Sequence, residues 1–325
     1  MTNKLGYTLY SARLPNEEDV RLFAPGLFQW VAAFEKYGKF GRMSPHVDKH
    51  ELEDSDIVHV NYTPTNESYI AALREELGEH SSTRIIANVD FGTMMWNGID
   101  PLVMKQQLSL ADMVFHVEST GAQRLERLLG KKVHVIPHPT NVEDIKKGIK
   151  PTDERSASIT CQYHRYADTW DVYYYGLMNI RKEYDLRTIL MNFEPKDKAK
   201  PRVPIICMFT ELINKMNYRD YLQLFANAFV NVDITFDHTY GRGIVEAAAL
   251  GIPTIGSNTI EAMHILWPDL EVEPGNDVMM GRVMRKLLDD DEFREEMITQ
   301  GFERCEYYSL EDSYLKMLVA LGEET

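Results

Sequence analysis

Cysteine is scarce. Cys161, Cys207 and Cys305 are the only three in 325 residues. An odd set without metal-ligand spacing argues against a disulfide framework and against a cysteine-built metal site. Cys161 and Cys207 fall in strand-like apolar segments, where a reduced thiol acts as a small hydrophobe. Long apolar runs are missing as well. None approaches the roughly 18–20 residues that cross a bilayer, and Met1–Gly6 leads straight into a strand-like segment with no leader pattern. A cytoplasmic protein is the expectation. Positive charge is short in one half: residues 1–150 hold 17 Lys and Arg against 20 Asp and Glu, residues 151–325 hold 18 against 30. A net charge of −15 repels phosphate backbones and anionic membranes. The basic clusters Lys131–Lys132, Lys146–Lys147 and 196–202 are short and read as solvated loops. No nucleophile elbow, no phosphate-cradling Walker loop and no 20–50-residue repeat occurs. Asp54–Ser55–Asp56 precedes an apolar strand, where a metal-binding Asp-x-Asp should follow one, so no metal is expected.

What is present is an alternation of apolar strands and amphipathic helices, the pattern of an α/β protein with parallel sheets. Strands are expected at 5–11, 57–62, 84–90, 113–117 and 133–137, then again at 159–163, 186–192, 203–208, 232–235 and 253–256. Helices are expected at about 17–36, 67–77, 103–110, 122–129, 171–183, 218–229 and 243–250, with a largely helical tail. The rhythm restarts around residues 137–151. Two Rossmann-like domains facing a cleft are therefore expected, one over residues 1–150 and one over 151–305, with a last helix over about 306–325. In such sheets ligands bind beyond the carboxyl ends of the strands.

Three segments carry a family resemblance. They are Val133-His134-Val135-Ile136-Pro137-His138-Pro139, the long run from His238 through Gly241-Arg242-Gly243-Ile244-Val245-Glu246 to Ser257, and Glu273-Pro274-Gly275-Asn276-Asp277 with the helices after it. In that order they resemble the family 4 retaining glycosyltransferases of the GT-B fold. The second segment is the specific one. The resemblance covers the C-terminal half well and the N-terminal half in outline. It implies transfer of a sugar from a nucleotide-diphosphate sugar, UDP- or GDP-linked, to a hydroxyl acceptor without cofactor or metal, with retention. It also implies that the last helix crosses back to the first domain.

The residues themselves fit such a donor. Gly241 and Gly243 precede a helix, so backbone amides there can approach an anion. Glu246, read in that helix's first turn, is placed to accept hydrogen bonds from ribose hydroxyls, the role the family gives its second glutamate. Arg242 and Arg165 are the diphosphate candidates, each with an ordinary surface or ion-pair role as its alternative. The sequence departs from the family at three points. His238 replaces the first glutamate, Trp170 stands where a phosphate-binding lysine is usual, and Ser11–Asn16 replaces a glycine-rich loop, leaving Arg13 as a substitute contact. Asp90, at a strand's carboxyl end, is the candidate base or charge stabiliser, beside His238 as the other catalytic candidate. Its alternative is a turn aspartate. Asn61 and Tyr62 end the preceding strand and are candidates for the acceptor pocket. A soluble acceptor (small molecule, glycan or protein) suits the charge better than nucleic acid. Two other readings fit the same fold: a nucleotide-sugar epimerase, and a glycosyltransferase-like binding subunit without activity.

Overall fold

The computed structural model describes residues 4–10, 26–45, 52–62, 69–78, 81–89, 100–152, 158–193, 209–214 and 216–323. The chain divides into two compact units. Unit 1 comprises residues 1–141, 238–240 and 307–325, and unit 2 comprises 142–237 and 241–306.

Unit 1 runs β1 (Gly6–Tyr10), α1 (Gly26–Tyr37), β2 (Phe40–Ser44), β3 (Ile57–Tyr62), α2 (Tyr69–Leu77), β4 (Arg84–Val89), α3 (Pro101–Ser109), β5 (Met113–His116), α4 (Ser119–Leu129) and β6 (His134–Val135). Helix α12 (Leu310–Leu321) completes it. The six strands are parallel, in the order β2-β1-β3-β4-β5-β6. Each central strand is buried on both faces, which is why β3 and β4 read as continuous apolar runs. One face packs Val58, Val60, Ile85 and Ala87 against α2, α3 and α4. The other packs Tyr7, Leu9, Ile86 and Phe115 against Trp30 and Phe34 of α1 and Tyr314 of α12. Strand β2 was not legible in the sequence. Its residues FGRMS lack the β-branched, apolar signature of a strand. It forms because Gly41 lets the backbone close on α1: a Cβ there would sit 2.1 Å from the Val31 carbonyl.

Unit 2 runs α5 (Val142–Gly148), β7 (Ser158–Gln162), α6 (Tyr163–Glu183), β8 (Arg187–Phe193), β9 (Glu211–Asn214), α7 (Tyr218–Ala226), β10 (Val230–Asp233), α8 (Arg242–Ala249), β11 (Thr254–Ser257), α9 (Glu261–Leu266), β12 (Glu271–Val272), α10 (Asp277–Asp289) and α11 (Asp291–Arg304). Its strands are also parallel, ordered β12-β11-β10-β7-β8-β9. Counted from β7, this is the 3-2-1-4-5-6 order of a dinucleotide-binding Rossmann sheet. The order reverses between β7 and β10, so the ligand crevice of this unit belongs at their carboxyl ends. The expected strand at 203–208, with Cys207, lies outside the described residues.

Candidate functional site

The loop after β10 is held by side chains before it reaches its helix. Ser257 donates to the Thr235 carbonyl at 2.9 Å and accepts from the Thr235 amide at 3.0 Å, and Thr259 donates to the same carbonyl at 2.7 Å. From α6, the Thr169 hydroxyl donates to the Ile234 carbonyl at 3.1 Å, while Tyr173 accepts from the Ile234 amide and donates to the Val232 carbonyl. Thr169 has non-helical φ/ψ (−134°, 29°), so α6 bends there. The helix begins at Tyr163 rather than at 171, and Arg165 lies in the turn before the bend. Its side chain lies outside the described residues.

Gly241 caps α8 in the left-handed region (φ 85°), and a Cβ on it would lie 2.3 Å from Ile260 Cγ2. No other residue type suits both demands. The helix starts at Arg242, one residue earlier than the sequence suggests. Glu246 is therefore its fifth residue and lies in the second turn, not the first. That shift matters. Position 242 is four residues before 246, so both side chains share one face of the helix. Arg242 Nε lies 3.1 Å from Glu246 Oε1.

Glu246 is 1% exposed. The Tyr218 hydroxyl donates to its Oε1 at 2.5 Å, and the Tyr221 ring stacks beside Tyr218. Burial pushes its carboxyl above the ordinary range, while Arg242, Tyr218 and Tyr221 oppose the shift. Both phenols are raised well above theirs, by burial first and then by the carboxylate. Their rings stack with centroids 5.9 Å apart, and Tyr221 rests on Phe225. Tyr221 also lines Gly243, whose Cβ would be 3.8 Å from its hydroxyl. Neither tyrosine drew notice in the sequence, because α7 reads there as an ordinary amphipathic helix. The signal available was two aromatics at i and i+3.

In unit 1 the carboxyl edge of the sheet gathers another set. The Glu118 carboxylate caps α4, accepting from the Thr120 amide at 2.7 Å and the Gly121 amide at 2.6 Å. His116, at the end of β5, accepts from the Glu118 amide at 3.1 Å. The Thr120 hydroxyl lies 3.3 Å from His238 Nδ1. His238 is thus held at the α4 end of this sheet, and Tyr240, two residues on, donates to the His138 carbonyl at 3.0 Å. Glu118 and Thr120 escaped sequence reading, since a buried glutamate cap looks like any surface glutamate before a helix. Asn61 is half-buried at the end of β3, whereas Tyr62 is fully buried in the core beside Val60 and Val89. Arg13 and Asp90 lie outside the described residues.

No protein-family model matches the sequence, and no curated protein matches it. Solved structures do. A trehalose-6-phosphate protein from E. coli bound with UDP-2-fluoro glucose aligns over 98% of this chain and 99% of its own, with a TM-score of 0.69 and 11% identity. The chain has the GT-B glycosyltransferase fold. A trehalose-6-phosphate synthase studied with bisubstrate glycomimetics, for glycosyl transfer with retention, covers 97% of this chain and 98% of its own at TM-score 0.69 and 11% identity. An alpha-glucosyltransferase in complex with UDP and a 13-mer DNA containing an HMU base covers 98% of each chain, at TM-score 0.66 and 10% identity. At such identities the GT-B fold is what these likenesses establish. Among the described residues no helix is long and apolar enough to cross a membrane.

Proposed function

We propose that this protein is a glycosyltransferase that moves a sugar from a nucleotide-diphosphate sugar, UDP- or GDP-linked, to a hydroxyl acceptor. The observation that carries the reading is Glu246: a buried carboxylate beneath Arg242, on the helix that follows β10 at the strand-order reversal of a Rossmann unit. A carboxylate only accepts, so its ligand must donate, and ribose hydroxyls do. Beside it the amides around Gly241 and Gly243, with Arg242 and Arg165, supply positive potential for a diphosphate. In that reading the arginines meet charge that a metal meets elsewhere, and transfer is metal-independent. His238 and Asp90 are the proposed catalytic groups, and Arg13 and Asn61 the proposed acceptor contacts; Tyr62, expected beside them, belongs to the core. Retention is the proposed stereochemical course, as studied in the trehalose-6-phosphate synthase of the same fold. The acceptor is a soluble small molecule, glycan or protein, because a chain of net charge −15 disfavours a nucleic-acid acceptor.

The test is thermal stabilisation and slow hydrolysis across UDP-, GDP- and ADP-sugars, comparing the native chain with Glu246→Ala. One nucleotide class should stabilise the native chain. The variant should bind it about 100-fold more weakly, since each hydrogen bond to a charged group contributes about 1.5–3 kcal/mol. Absence of stabilisation by every donor would sink the reading.

A further inference from the structure

The carboxylate of Glu246 is covered on the protein side and capped by Arg242. Its two oxygens offer about four lone-pair positions. Oε1 accepts from the Tyr218 hydroxyl at 2.5 Å and lies 3.1 Å from Arg242 Nε. Glu246 is 1% exposed, so a group that covers it must move before ribose hydroxyls can reach it. The two tyrosines are poor candidates to leave. Tyr221 is 7% exposed, the rings stack on each other, and Phe225 backs them. Arg242 is different: its side chain is 43% exposed, on a flexible stem, at the first position of α8. Its departure alone, however, strips a buried carboxylate of its counter-ion, which is costly unless something compensates.

We infer that Arg242 is an exchangeable counter-ion that couples the two halves of the donor: it yields the Glu246 carboxylate to the ribose hydroxyls when a diphosphate takes up its guanidinium. This rests on the donor reading above and sharpens it. A diphosphate is a stronger, bidentate partner for a guanidinium than a shared carboxylate oxygen. The ribose hydroxyls then replace the donor that Glu246 loses. A nucleoside without phosphate has to displace Arg242 with no new partner to offer it. The site thereby selects nucleoside diphosphates over nucleosides by exchange as well as by direct phosphate contact.

Calorimetric titration of uridine, UDP, guanosine and GDP against the native chain, Arg242→Met and Arg242→Lys tests this. Removing the guanidinium should weaken the favoured diphosphate about tenfold and strengthen its nucleoside about threefold, within the usual range of site coupling. The opposite signs are the signature. Arg242→Lys keeps a cation for phosphate without the Nε donor, so it should retain much of the diphosphate affinity while also gaining nucleoside affinity; it carries the test if Arg242→Met does not fold. Equal losses for nucleoside and diphosphate would show that Arg242 merely positions Glu246 and would overturn the exchange. Unchanged affinities would overturn it too. A native chain that binds neither diphosphate defeats the donor reading itself, whereas native binding with an unmoved ratio defeats the exchange alone.

Discussion

Each unit buries a polar cluster, and the two are built to opposite ends. In unit 1, Asn88 Oδ1 accepts from His59 Nε2 at 2.6 Å, and the Tyr7 hydroxyl bonds the other ring nitrogen at 2.5 Å. Trp30 and Phe115 enclose the imidazole. With Oδ1 able only to accept, Nε2 carries the proton, and the neutral ring's Nδ1 accepts from Tyr7. All three residues are fully buried on adjacent strands, and the hydroxyl, the ring and Asn88 Oδ1 satisfy one another without charge, while Asn88 Nδ2 has no hydrogen-bond partner among the described residues. In unit 2 the buried group is a carboxylate whose counter-ion is 43% exposed. A neutral network of this kind fixes which side chains pack together. A buried charge beside a movable cation is instead a place where a ligand can substitute, and pKa perturbation by burial concentrates at such places.

The largest expected effect breaks the first cluster. His59→Leu leaves the Tyr7 hydroxyl and the Asn88 amide without their partner in the core, and should cost about 3 kcal/mol of stability in denaturant unfolding. Nucleotide affinity of the folded variant should stay as it is. A loss of affinity there would erase the contrast between the clusters. Next is Tyr218→Phe, which removes one donor from Glu246. Stability should fall by about 2 kcal/mol, one charged hydrogen bond's worth, and nucleotide affinity should not fall, since a ribose hydroxyl can take the vacated position on the carboxylate. Calorimetry and thermal melts read the two separately.

The smallest effect sharpens the comparison through pH. Burial raises the Glu246 carboxyl in the folded chain, so the folded state holds that proton more tightly than the unfolded state. Its contribution to folding is present below the unfolded pKa and is lost as pH rises through the folded one. Glu246→Gln should therefore gain stability relative to the native chain as pH rises above the ordinary carboxylate range, from about pH 4 upward. A melting-temperature difference that stays flat across that window would show that its partners, not burial, dominate.

Much of the architecture is legible in the sequence. The apolar runs 57–62 and 84–89 are strands because both faces of a parallel sheet are covered, and that burial writes itself into composition. Helix α8 was visible through its glycines and its alanine run. Several elements were not, the short strands β9 and β12 among them. Strand β2 depends on the contact at Gly41, helix α5 hides in a stretch read as a connection, and the start of α6 is masked by its bend at Thr169. Each is fixed by neighbours rather than by local preference.

The candidate site divides in the same way. Residue order alone put Gly241, Arg242, Gly243 and Glu246 on one turn-and-helix segment, because a left-handed glycine and a four-residue helical spacing are local facts. The partners of Glu246 are not local. Tyr218 lies 28 residues away in sequence and reaches it only because α7 packs beside α8. His238 meets Thr120 across 118 residues, and nothing in either segment announces the other. Short-range sterics and periodicity, which set backbone conformation, are written in the sequence. Which buried group faces which is decided only when distant helices and strands share a core, because hydrogen bonds and desolvation act through space.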